Sequence, residues 1–406
     1  MTEGTDLISK CESYLKTLCV DIAQRSVGSE GNREATRFFN AELKANGWKT
    51  VMPEFDAMDW IDGGASLKSD DSSFDVLVSP YSLGCNAEAK LVASNTIEKL
   101  QSTDCTGKFL FLYGDIAKEQ LMPKNFVFYN PEEHQRIIAL LEEKKPLAII
   151  SATSRNAALA GGVYPFPLIE DGDFDIPSIY MTQEEGEKLK AYENKILILQ
   201  SKSERIAAKG YNVVGSKGVE NSDRIVITAH IDAKKYTPGA IDNGTGVAMM
   251  LLISELLKDY NGTKEIEIVA LNGEDYYAVP GQMNYISQNQ GKFETILLNV
   301  NIDGAGYHSG ESTFSLFGLP SDLHQKALKT IDESPGIVEG IQWPQGDHSI
   351  FVQYGRPAIA VSSKWFIENI DTQDITHTHR DNLDIVECNK VVETAQALSA
   401  LILAIG

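Results

Sequence analysis

The sequence predicts an α/β fold: a mainly parallel mixed sheet flanked by helices on both faces, with a β-rich inserted domain. The first observation is length, since 406 residues exceed what one domain usually takes. The second is the alternation of strand-like and helix-like runs from residue 193 onward, which is typical of a parallel sheet covered by helices. The third is a change between residues 60 and 192, where short strand-like runs, proline and glycine predominate.

The N-terminal segment, residues 1–59, is predicted to begin with helices. Apolar residues follow helical spacing in "DLISKCESYLKTLC" and again in "REATRFFNAELKANG", which Asn46 and Gly47 end. The run "WKTVMPEF" is then predicted as a strand. Helix and strand elements of this kind resume only after the middle of the chain. We therefore assign residues 1–59 and 193–406 to one domain.

The middle segment, residues 60–192, is predicted to be a separate β-rich domain. Its strand-like runs include "FDVLVSPY", "KFLFLYG" and "LAIISA", and the helix-like run "PEEHQRIIALLEEKK" precedes the last of them. No residue set within this segment resembles a catalytic cluster. The functional residues are therefore expected elsewhere.

The C-terminal part of the chain supplies most of the predicted sheet. Its strand-like runs are "KILILQS", "RIVITAH", "EIEIVALN", "TILLNVNID" and "PAIAVSS". Its helix-like runs are "GVAMMLLISELLKDY", "GQMNYISQNQG", "SDLHQKALKTIDE" and "NKVVETAQALSALILAI". In open sheets of this kind, ligands bind outside the carboxyl ends of the strands. A site is therefore expected among the residues that follow each strand.

Net charge, the N-terminal sequence and the cysteine content argue against nucleic-acid-binding, secreted, membrane-spanning and disulfide-rich proteins. A net charge of -21 argues against nucleic acid or an anionic membrane as a partner, because both need a basic surface. The N-terminus lacks the basic start and apolar core of a secretion signal. No apolar run is expected to reach the roughly 18 residues that a membrane helix needs, so we expect a cytoplasmic protein. Five scattered cysteines without a CxxC pair indicate neither a disulfide framework nor a thiolate zinc site.

Histidines and carboxylates lie at the ends of the predicted strands. They are His230 and Asp232 at the end of "RIVITAH", Asp242 in the loop that follows, Glu274 and Asp275 after "EIEIVALN", Asp303 at the end of "TILLNVNID", and His377 and His379 late in the chain. A single strand-end histidine is usually structural, but several imidazoles and carboxylates at one edge of a sheet form a different pattern. Carboxylates gathered in one cleft repel one another unless a cation lies among them. The pattern therefore predicts a metal site.

The residue types narrow the choice of metal. Imidazole and carboxylate ligands without thiolate suit zinc, leave manganese or cobalt open, and disfavour calcium. Asp242 lies between Gly239 and Gly244 in a turn that can bring a carboxylate into a crowded site. Asp232, two residues beyond His230, is suitably placed to accept the other N–H of that imidazole and fix its tautomer.

Taken in order, these motifs resemble the M28 metallopeptidases, which are zinc aminopeptidases and carboxypeptidases with a pair of metal ions. The matching motifs are His230-x-Asp232, "GAIDNGTG", Gly273-Glu274-Asp275, Asn301-x-Asp303 and His377-Thr378-x-x-Asp381. "GDHSIF" resembles the Asp-His-x-x-Phe loop of the family, and "GSEGNREATRFFNAEL" resembles its N-terminal helix. The segment 60–192 resembles a protease-associated (PA) insert. The resemblance spans nearly the whole chain and implies the zinc exopeptidase fold.

The metal ligands that the resemblance implies form two sets that share one carboxylate. Asp242 would bridge two divalent metal ions, most commonly Zn²⁺ in this family. His230 and Asp303 would complete one site, and Asp275 and His377 would complete the other.

The resemblance also implies catalytic roles and a substrate. Glu274 would be the general base, and Asp232 would be the second catalytic residue. The peptide bond Asp242–Asn243 would be cis. The choice of His377 over His379 as a ligand rests on the His-Thr-x-x-Asp spacing, and His379 could instead face the substrate, as could His348. The implied reaction is hydrolysis of the terminal bond of a peptide; an aminopeptidase is favoured, and a carboxypeptidase is left open.

Two departures from the family pattern leave alternatives open. Asp275 stands where the family usually has a second glutamate, so this ligand is one methylene shorter. "YYAVPGQMNY" replaces the usual Gly-Leu-x-Gly-Ser. If Asp275 falls short of its metal, the same fold would suit a single-zinc cyclase or transferase. A metal-free binding module is the other alternative.

Overall fold

The computed structural model describes residues 2–22, 24–127, 129–155, 162–220, 222–276 and 278–406. The helices are α1 (Thr2–Lys16), α2 (Glu30–Ala45), α3 (Ile97–Ser102), α4 (Glu132–Lys144), α5 (Gln183–Leu189), α6 (Thr245–Leu256), α7 (Pro280–Gln288), α8 (Ser321–Asp332), α9 (His348–Gln353), α10 (Lys364–Glu368) and α11 (Cys388–Ile405). The strands are β1 (Lys49–Val51), β2 (Glu54–Lys68), β3 (Ser73–Phe74), β4 (Leu77–Val78), β5 (Cys85–Ser94), β6 (Phe109–Leu112), β7 (Ala148–Thr153), β8 (Ser178–Thr182), β9 (Ile196–Tyr211), β10 (Val213–Gly218), β11 (Arg224–His230), β12 (Glu265–Leu271), β13 (Ile296–Ile302), β14 (Ser312–Phe317), β15 (Ile337–Gly340) and β16 (Ala358–Ser363).

The chain divides into two compact units. The first unit comprises Met1–Ala57, Lys209–Ile370 and Ile375–Gly406. The second unit comprises Met58–Ala208 and Asp371–Asp374. Each unit has its own sheet.

The sheet of the first unit has the strand order β1-β10-β12-β11-β13-β16-β14-β15. Its centre is parallel, because β11 pairs in parallel with β12 and β13, and β13 pairs in parallel with β16. Antiparallel pairs join β1 to β10, β10 to β12, and β14 to β16. Every residue of β11 is buried, as expected for a strand covered on both faces. The prediction of a mainly parallel mixed sheet flanked by helices is confirmed.

Helix α6 lies in the core of the first unit and begins directly after the loop that carries Asp242. Its residues from Thr245 to Ser254 are all buried. A helix that is apolar on every side must be enclosed by other elements, and α6 contacts α11, α1 and β11. The position of the Asp242 loop therefore depends on a helix that is fixed by burial.

Helix α11 is long and apolar enough to span a membrane, judged by length and composition alone. The expectation that no run in the chain meets this criterion is therefore wrong. Half of the helix is buried, and Val391, Leu398 and Ile402 belong to the same apolar core as α6. Packing in this core accounts for the apolar composition of α11.

The sheet of the second unit has the strand order β3-β2-β9-β5-β6-β7-β8-β4. Strands β5, β6, β7 and β8 are parallel to their neighbours in this run. Alternate residues of β6 enter different apolar clusters: Leu110 packs with residues of α4, and Phe109 packs with Leu189 of α5. Because side chains alternate between the faces of a strand, this sheet is buried on both faces at β6. Its PA-type identity stays a prediction.

The boundary predicted at residue 193 is wrong. The run "KILILQS" begins β9, which pairs antiparallel with β5 in the sheet of the second unit. Leu197 and Leu199 are buried in a cluster of that unit, whereas Ile196 and Ile198 on the alternate positions are exposed. The burial of these two leucines therefore extends the second unit to Ala208.

We predict that Leu251→Ala in α6 lowers the free energy of unfolding by about 2–5 kcal/mol, since deletion of a fully buried leucine side chain leaves a cavity. Leu403→Ala in α11 is the matched control, because Leu403 is 55% exposed. Its loss should stay within about 0.5 kcal/mol. Urea unfolding of the metal-free proteins measures both values. Equal losses in the two variants would contradict the placement of α6 in the core.

Candidate metal centre

The site residues meet at the carboxyl edge of the central parallel strands of the first unit. His230 is the last residue of β11, and it pairs in register with Leu271, the last residue of β12. Glu274 and Asp275 follow β12, and Asp303 follows β13. Because β12, β11 and β13 are parallel neighbours, their carboxyl ends place these side chains together.

Asp242 lies between two histidines, with one carboxylate oxygen toward each. Its Oδ1 is 3.0 Å from His230 Nε2, and its Oδ2 is 3.1 Å from His377 Nε2. Asp303 Oδ1 is 3.7 Å from His230 Nε2, and Asp275 Oδ1 is 3.0 Å from His377 Nε2. Among the described residues, three groups of potential metal ligands have ligand atoms within 4.8 Å of one another: His230, Asp242 and Asp303; Asp242, Asp275 and His377; and His230, Asp232 and Asp275. Asp242 belongs to the first two groups.

The bonding of these residues fits a cation. His230 Nδ1 lies 3.2 Å from the backbone carbonyl of Asp232, which can only accept a hydrogen bond. With Nδ1 so engaged, Nε2 is the ring atom that faces the oxygens of Asp242 and Asp303. Among the described residues, His230 Nε2 and Asp275 Oδ2 are buried without a hydrogen-bond partner. A ring nitrogen among carboxylate oxygens needs positive charge between them, from a proton or from a metal ion, and imidazole with carboxylate is a donor set that zinc accepts.

The electrostatics of the cluster reflect many acids in a buried place. Burial raises the pKa of Glu274 well above its ordinary value. The charge of His230 lowers this pKa, and the charges of Asp303 and Asp275 raise it further. Burial alone would lower the pKa of His377, but Asp275 and Asp242 outweigh it and raise that pKa to about 10. Protons thus take up the negative charge of the metal-free cluster. A bound divalent cation would supply that positive charge instead.

Asp232 acts on the neighbouring loop rather than on His230. Its carboxylate accepts the backbone N–H groups of Gly273 at 2.7 Å, Glu274 at 3.2 Å and Asp275 at 2.9 Å. The nearest distance from that carboxylate to His230 Nδ1 is 3.8 Å. The predicted carboxylate–imidazole hydrogen bond is therefore replaced by one to the Asp232 carbonyl. Asp232 fixes the backbone that carries Glu274 and Asp275.

The Asp242 loop is held by Asp381, which the sequence motif includes but to which we assigned no role. Asp381 is fully buried, and its two carboxylate oxygens accept the N–H groups of Ile241 at 2.7 Å and Asp242 at 3.1 Å. The Asn243 side chain donates to the carbonyl of Ile302 at 2.8 Å. The peptide bond between Asp242 and Asn243 is cis, as the family resemblance implies.

His377, His379 and His348 lie in three different surroundings. His377 joins the cluster from a loop in which it has a φ of 60°. His379 is exposed, and its carbonyl accepts the side-chain N–H of Asn382. His348 is 1% exposed and lies with its ring against Phe317 and Trp343. Burial lowers the pKa of His348 to about 4, and its assignment as a side chain that faces the substrate stays a prediction.

Asp347, which the sequence analysis did not single out, lies close enough to the cluster to act on its charges. It is buried, Gln282 donates to its Oδ1 at 2.9 Å, and its Oδ2 has no hydrogen-bond partner among the described residues. Burial raises the pKa of Asp347 to about 7, and Asp347 in turn raises the pKa of Glu274. The motif "GDHSIF" contains Asp347 and could have pointed to it, but the sequence analysis singled out the neighbouring His348 instead.

Comparison with known proteins identifies the family of the region that carries this cluster. Residues 212–402 match Peptidase family M28. The likeness to that family is established for this region alone. The matched region contains all the residues of the three ligand groups, and it begins after α1 and α2. The N-terminal helices of the first unit thus lie outside the matched part of the chain.

Individual relatives and solved structures agree with this assignment. Aminopeptidase YwaD of Bacillus subtilis (strain 168) is 22% identical over 243 residues, which are 58% of this chain and 53% of that protein. The chain thus spans about half the length of this relative. The aminopeptidase from Aneurinibacillus sp. strain AM-1 has a TM-score of 0.77 at 18% identity over 97% of this chain and 93% of that one. A zinc aminopeptidase from Bacillus subtilis has a TM-score of 0.75 at 18% identity, with 98% and 94% coverage. These structures establish a shared fold.

We predict that Asp232→Asn weakens zinc binding by the M28 domain about 10–100-fold, as loss of a group that orients metal ligands does. Asp232 accepts backbone N–H groups on both of its carboxylate oxygens. An asparagine has one acceptor oxygen, and its NH₂ group would face an N–H group to which it cannot bond. Competition with a chromophoric chelator measures the affinity. Asp223→Asn, at an exposed ion pair with Lys264, should leave the affinity unchanged. Equal affinities in both variants would contradict the positioning role of Asp232.

Proposed function

We propose that this protein is a two-metal exopeptidase, a zinc aminopeptidase that hydrolyses the N-terminal bond of peptides. The observation that carries the proposal is the placement of Asp242, with one carboxylate oxygen toward each of two histidine–carboxylate groups. A carboxylate in that position suits two cations a few ångströms apart. The M28 match of the surrounding region supports the same reaction class.

The proposed ligands fall on both sides of Asp242. His230 and Asp303 would hold one metal, and Asp275 and His377 would hold the other. Bound there, two divalent cations would lower the pKa of a shared water and offset the charge that develops on the substrate carbonyl oxygen. The short side chain of Asp275 reaches its group, since its Oδ1 lies 3.0 Å from His377 Nε2. That contact favours two metals over a single one.

Glu274 is the proposed proton carrier. It lies next to Asp275 in the chain, and its backbone is fixed by the hydrogen bond to Asp232. Its carboxylate takes a proton from the attacking water and then donates it to the amine that leaves. Burial raises the pKa of Glu274, which is the direction expected for a carboxylate that takes up a proton and later returns it.

The charge of the site supports the amino direction. The acids Asp303, Asp275 and Asp347 all act on Glu274, and Asp347 keeps one carboxylate oxygen without a partner among the described residues. A substrate ammonium group complements such surroundings, whereas a terminal carboxylate would need a cation to receive it. The names of the related aminopeptidases point the same way.

We predict that the purified wild-type chain holds two zinc ions and that Asp242→Asn loses both together. A bridging carboxylate serves both sites, so its replacement disables both groups at once. Atomic emission after dialysis gives the metal content. Asp322→Asn, at an exposed pair with Lys326, should keep two ions. One ion in the wild type would favour the single-zinc cyclase or transferase, and none would favour a binding module.

We predict that Glu274→Gln keeps both metals and lowers kcat about 10²–10⁴-fold, because the amide has nearly the same shape but accepts no proton. Release of nitroaniline from a panel of amino-acid 4-nitroanilides measures the rate. Glu220→Gln, at an exposed pair with Lys49, serves as the control and should be as active as the wild type. Wild-type turnover by the Glu274 variant at full metal content would remove Glu274 from the mechanism.

A further inference from the structure

Two buried polar side chains of the N-terminal segment reach the loops that carry the metal ligands. Arg25 is 2% exposed and Asn32 is fully buried. Both residues precede the region that matches the M28 family. Their contacts therefore assign a role to a part of the chain that the family match does not cover.

Arg25 binds the loop between His230 and Asp242 through backbone carbonyls. Its guanidinium donates from Nε to Ile231 at 3.2 Å, from Nη1 to Pro238 at 2.8 Å and from Nη2 to Gly239 at 2.7 Å. Nη1 also donates to the carbonyl of Leu18 at 2.5 Å. Hydrogen bonds from a charged donor are stronger than neutral ones. One planar group thus ties both ends of the ligand loop to the N-terminal segment.

The loop backbone is shaped to receive this guanidinium. Gly239 has a φ of 58°, which favours glycine. A Cβ atom at this position would lie 2.9 Å from Arg25 Nη2 and 2.5 Å from the Cβ of Ala233. The bare backbone of Gly239 is therefore required where Arg25 approaches, three residues before Asp242.

Asn32 binds the second ligand loop through a reciprocal amide pair. Its Nδ2 donates to Asn272 Oδ1 at 2.8 Å, and Asn272 Nδ2 donates to Asn32 Oδ1 at 2.9 Å. Asn32 Nδ2 also donates to the carbonyl of Arg25 at 2.9 Å. Asn272 directly precedes Gly273 and Glu274 in the sequence. The amide pair therefore fixes the start of the loop that carries the proposed base and one ligand.

Asn32 is itself held by the helix start on which it lies. Ser29 caps α2, and its side-chain oxygen accepts the N–H of Asn32 at 3.1 Å. Asn32 also belongs to the buried face of α2, together with Phe39 and Leu43. A site group is positioned best when the residues that support it are locked by packing and hydrogen bonds of their own.

We propose that Arg25 and Asn32 are positioning residues that set the geometry of the metal centre from outside the matched residues 212–402. Arg25 places the loop of Asp242, and Asn32 places the loop of Glu274 and Asp275. The inference rests on the metal centre of the proposed function, but it does not depend on the substrate or on peptide hydrolysis. Its test can therefore use metal binding alone.

The test compares Arg25→Lys with Arg37→Lys in the full chain. Lysine keeps the positive charge, but its donors radiate from one nitrogen and cannot span the carbonyls that the planar guanidinium joins. Arg37 lies on the exposed side of α2 in an ion pair with Glu30, so Arg37→Lys is the matched control. Chelator competition gives zinc affinity, and visible absorption of the Co²⁺-loaded protein reports coordination geometry.

We expect Arg25→Lys to bind zinc about 10–100-fold more weakly than the wild type, the range for residues that orient metal ligands, with an altered Co²⁺ spectrum. Arg37→Lys should match the wild type in both measurements. Wild-type zinc affinity and Co²⁺ spectrum in Arg25→Lys would overturn the inference while leaving the proposed function intact. Absence of zinc binding in the wild type would overturn both.

A second pair of variants decides the matter if Arg25→Lys does not fold by circular dichroism. Asn272→Ala removes the amide pair with Asn32 and should lower zinc affinity in the same range. Asn289→Ala is the control, since Asn289 is also buried but binds Arg224 at the first residue of β11, the opposite end of that strand from His230. Equal zinc affinities for these two variants would overturn the inference.

Discussion

Repulsion among carboxylates at one edge of a sheet is the constraint that shapes the first unit. The parallel strands β12, β11 and β13 end side by side, and the residues after them include Glu274, Asp275 and Asp303. Each buried carboxylate must find a donor or a cation, because an unpaired buried charge is costly. The loops at this edge are arranged around that requirement.

The acids at this edge meet the requirement in two different ways. Asp232 and Asp381 receive backbone N–H groups on both carboxylate oxygens, and they order the loops of Glu274 and Asp242 respectively. Asp242 and Asp275 instead direct oxygens toward histidine Nε2 atoms. Carboxylates that accept N–H groups on both oxygens have little left to offer a cation, whereas Asp242 and Asp275 direct oxygens at ring nitrogens that can bind the same cation. Hydrogen-bond partners therefore separate the supporting acids from the proposed ligands.

Sequence reasoning could predict the parts of this arrangement that depend on local pattern. The alternation of strand-like and helix-like runs predicted the mixed sheet. Position at the end of a predicted strand drew attention to His230 and Asp303, because such a position can be recognised from local sequence. The contact of Arg25 with Pro238 could not be predicted, since it joins residues 213 positions apart and neither carries a motif. The strand β9 was misplaced because an apolar run does not reveal which sheet it will join. Asp232 was given the wrong partner because spacing of two residues does not fix which of its oxygens is near.

The two departures from the family pattern meet at Gly273. An aspartate is one methylene shorter than a glutamate, so the reach of Asp275 depends on where its backbone lies. Asp232 holds the N–H groups of residues 273–275, and Gly273 adopts a φ of 110° that only glycine tolerates well. A Cβ on Gly273 would lie 2.7 Å from Cδ of Pro280, so the proline of the altered "YYAVPGQ" run packs directly on this glycine. Pro280 and Asp232 thus hold the backbone from which Asp275 brings its Oδ1 within 3.0 Å of His377 Nε2.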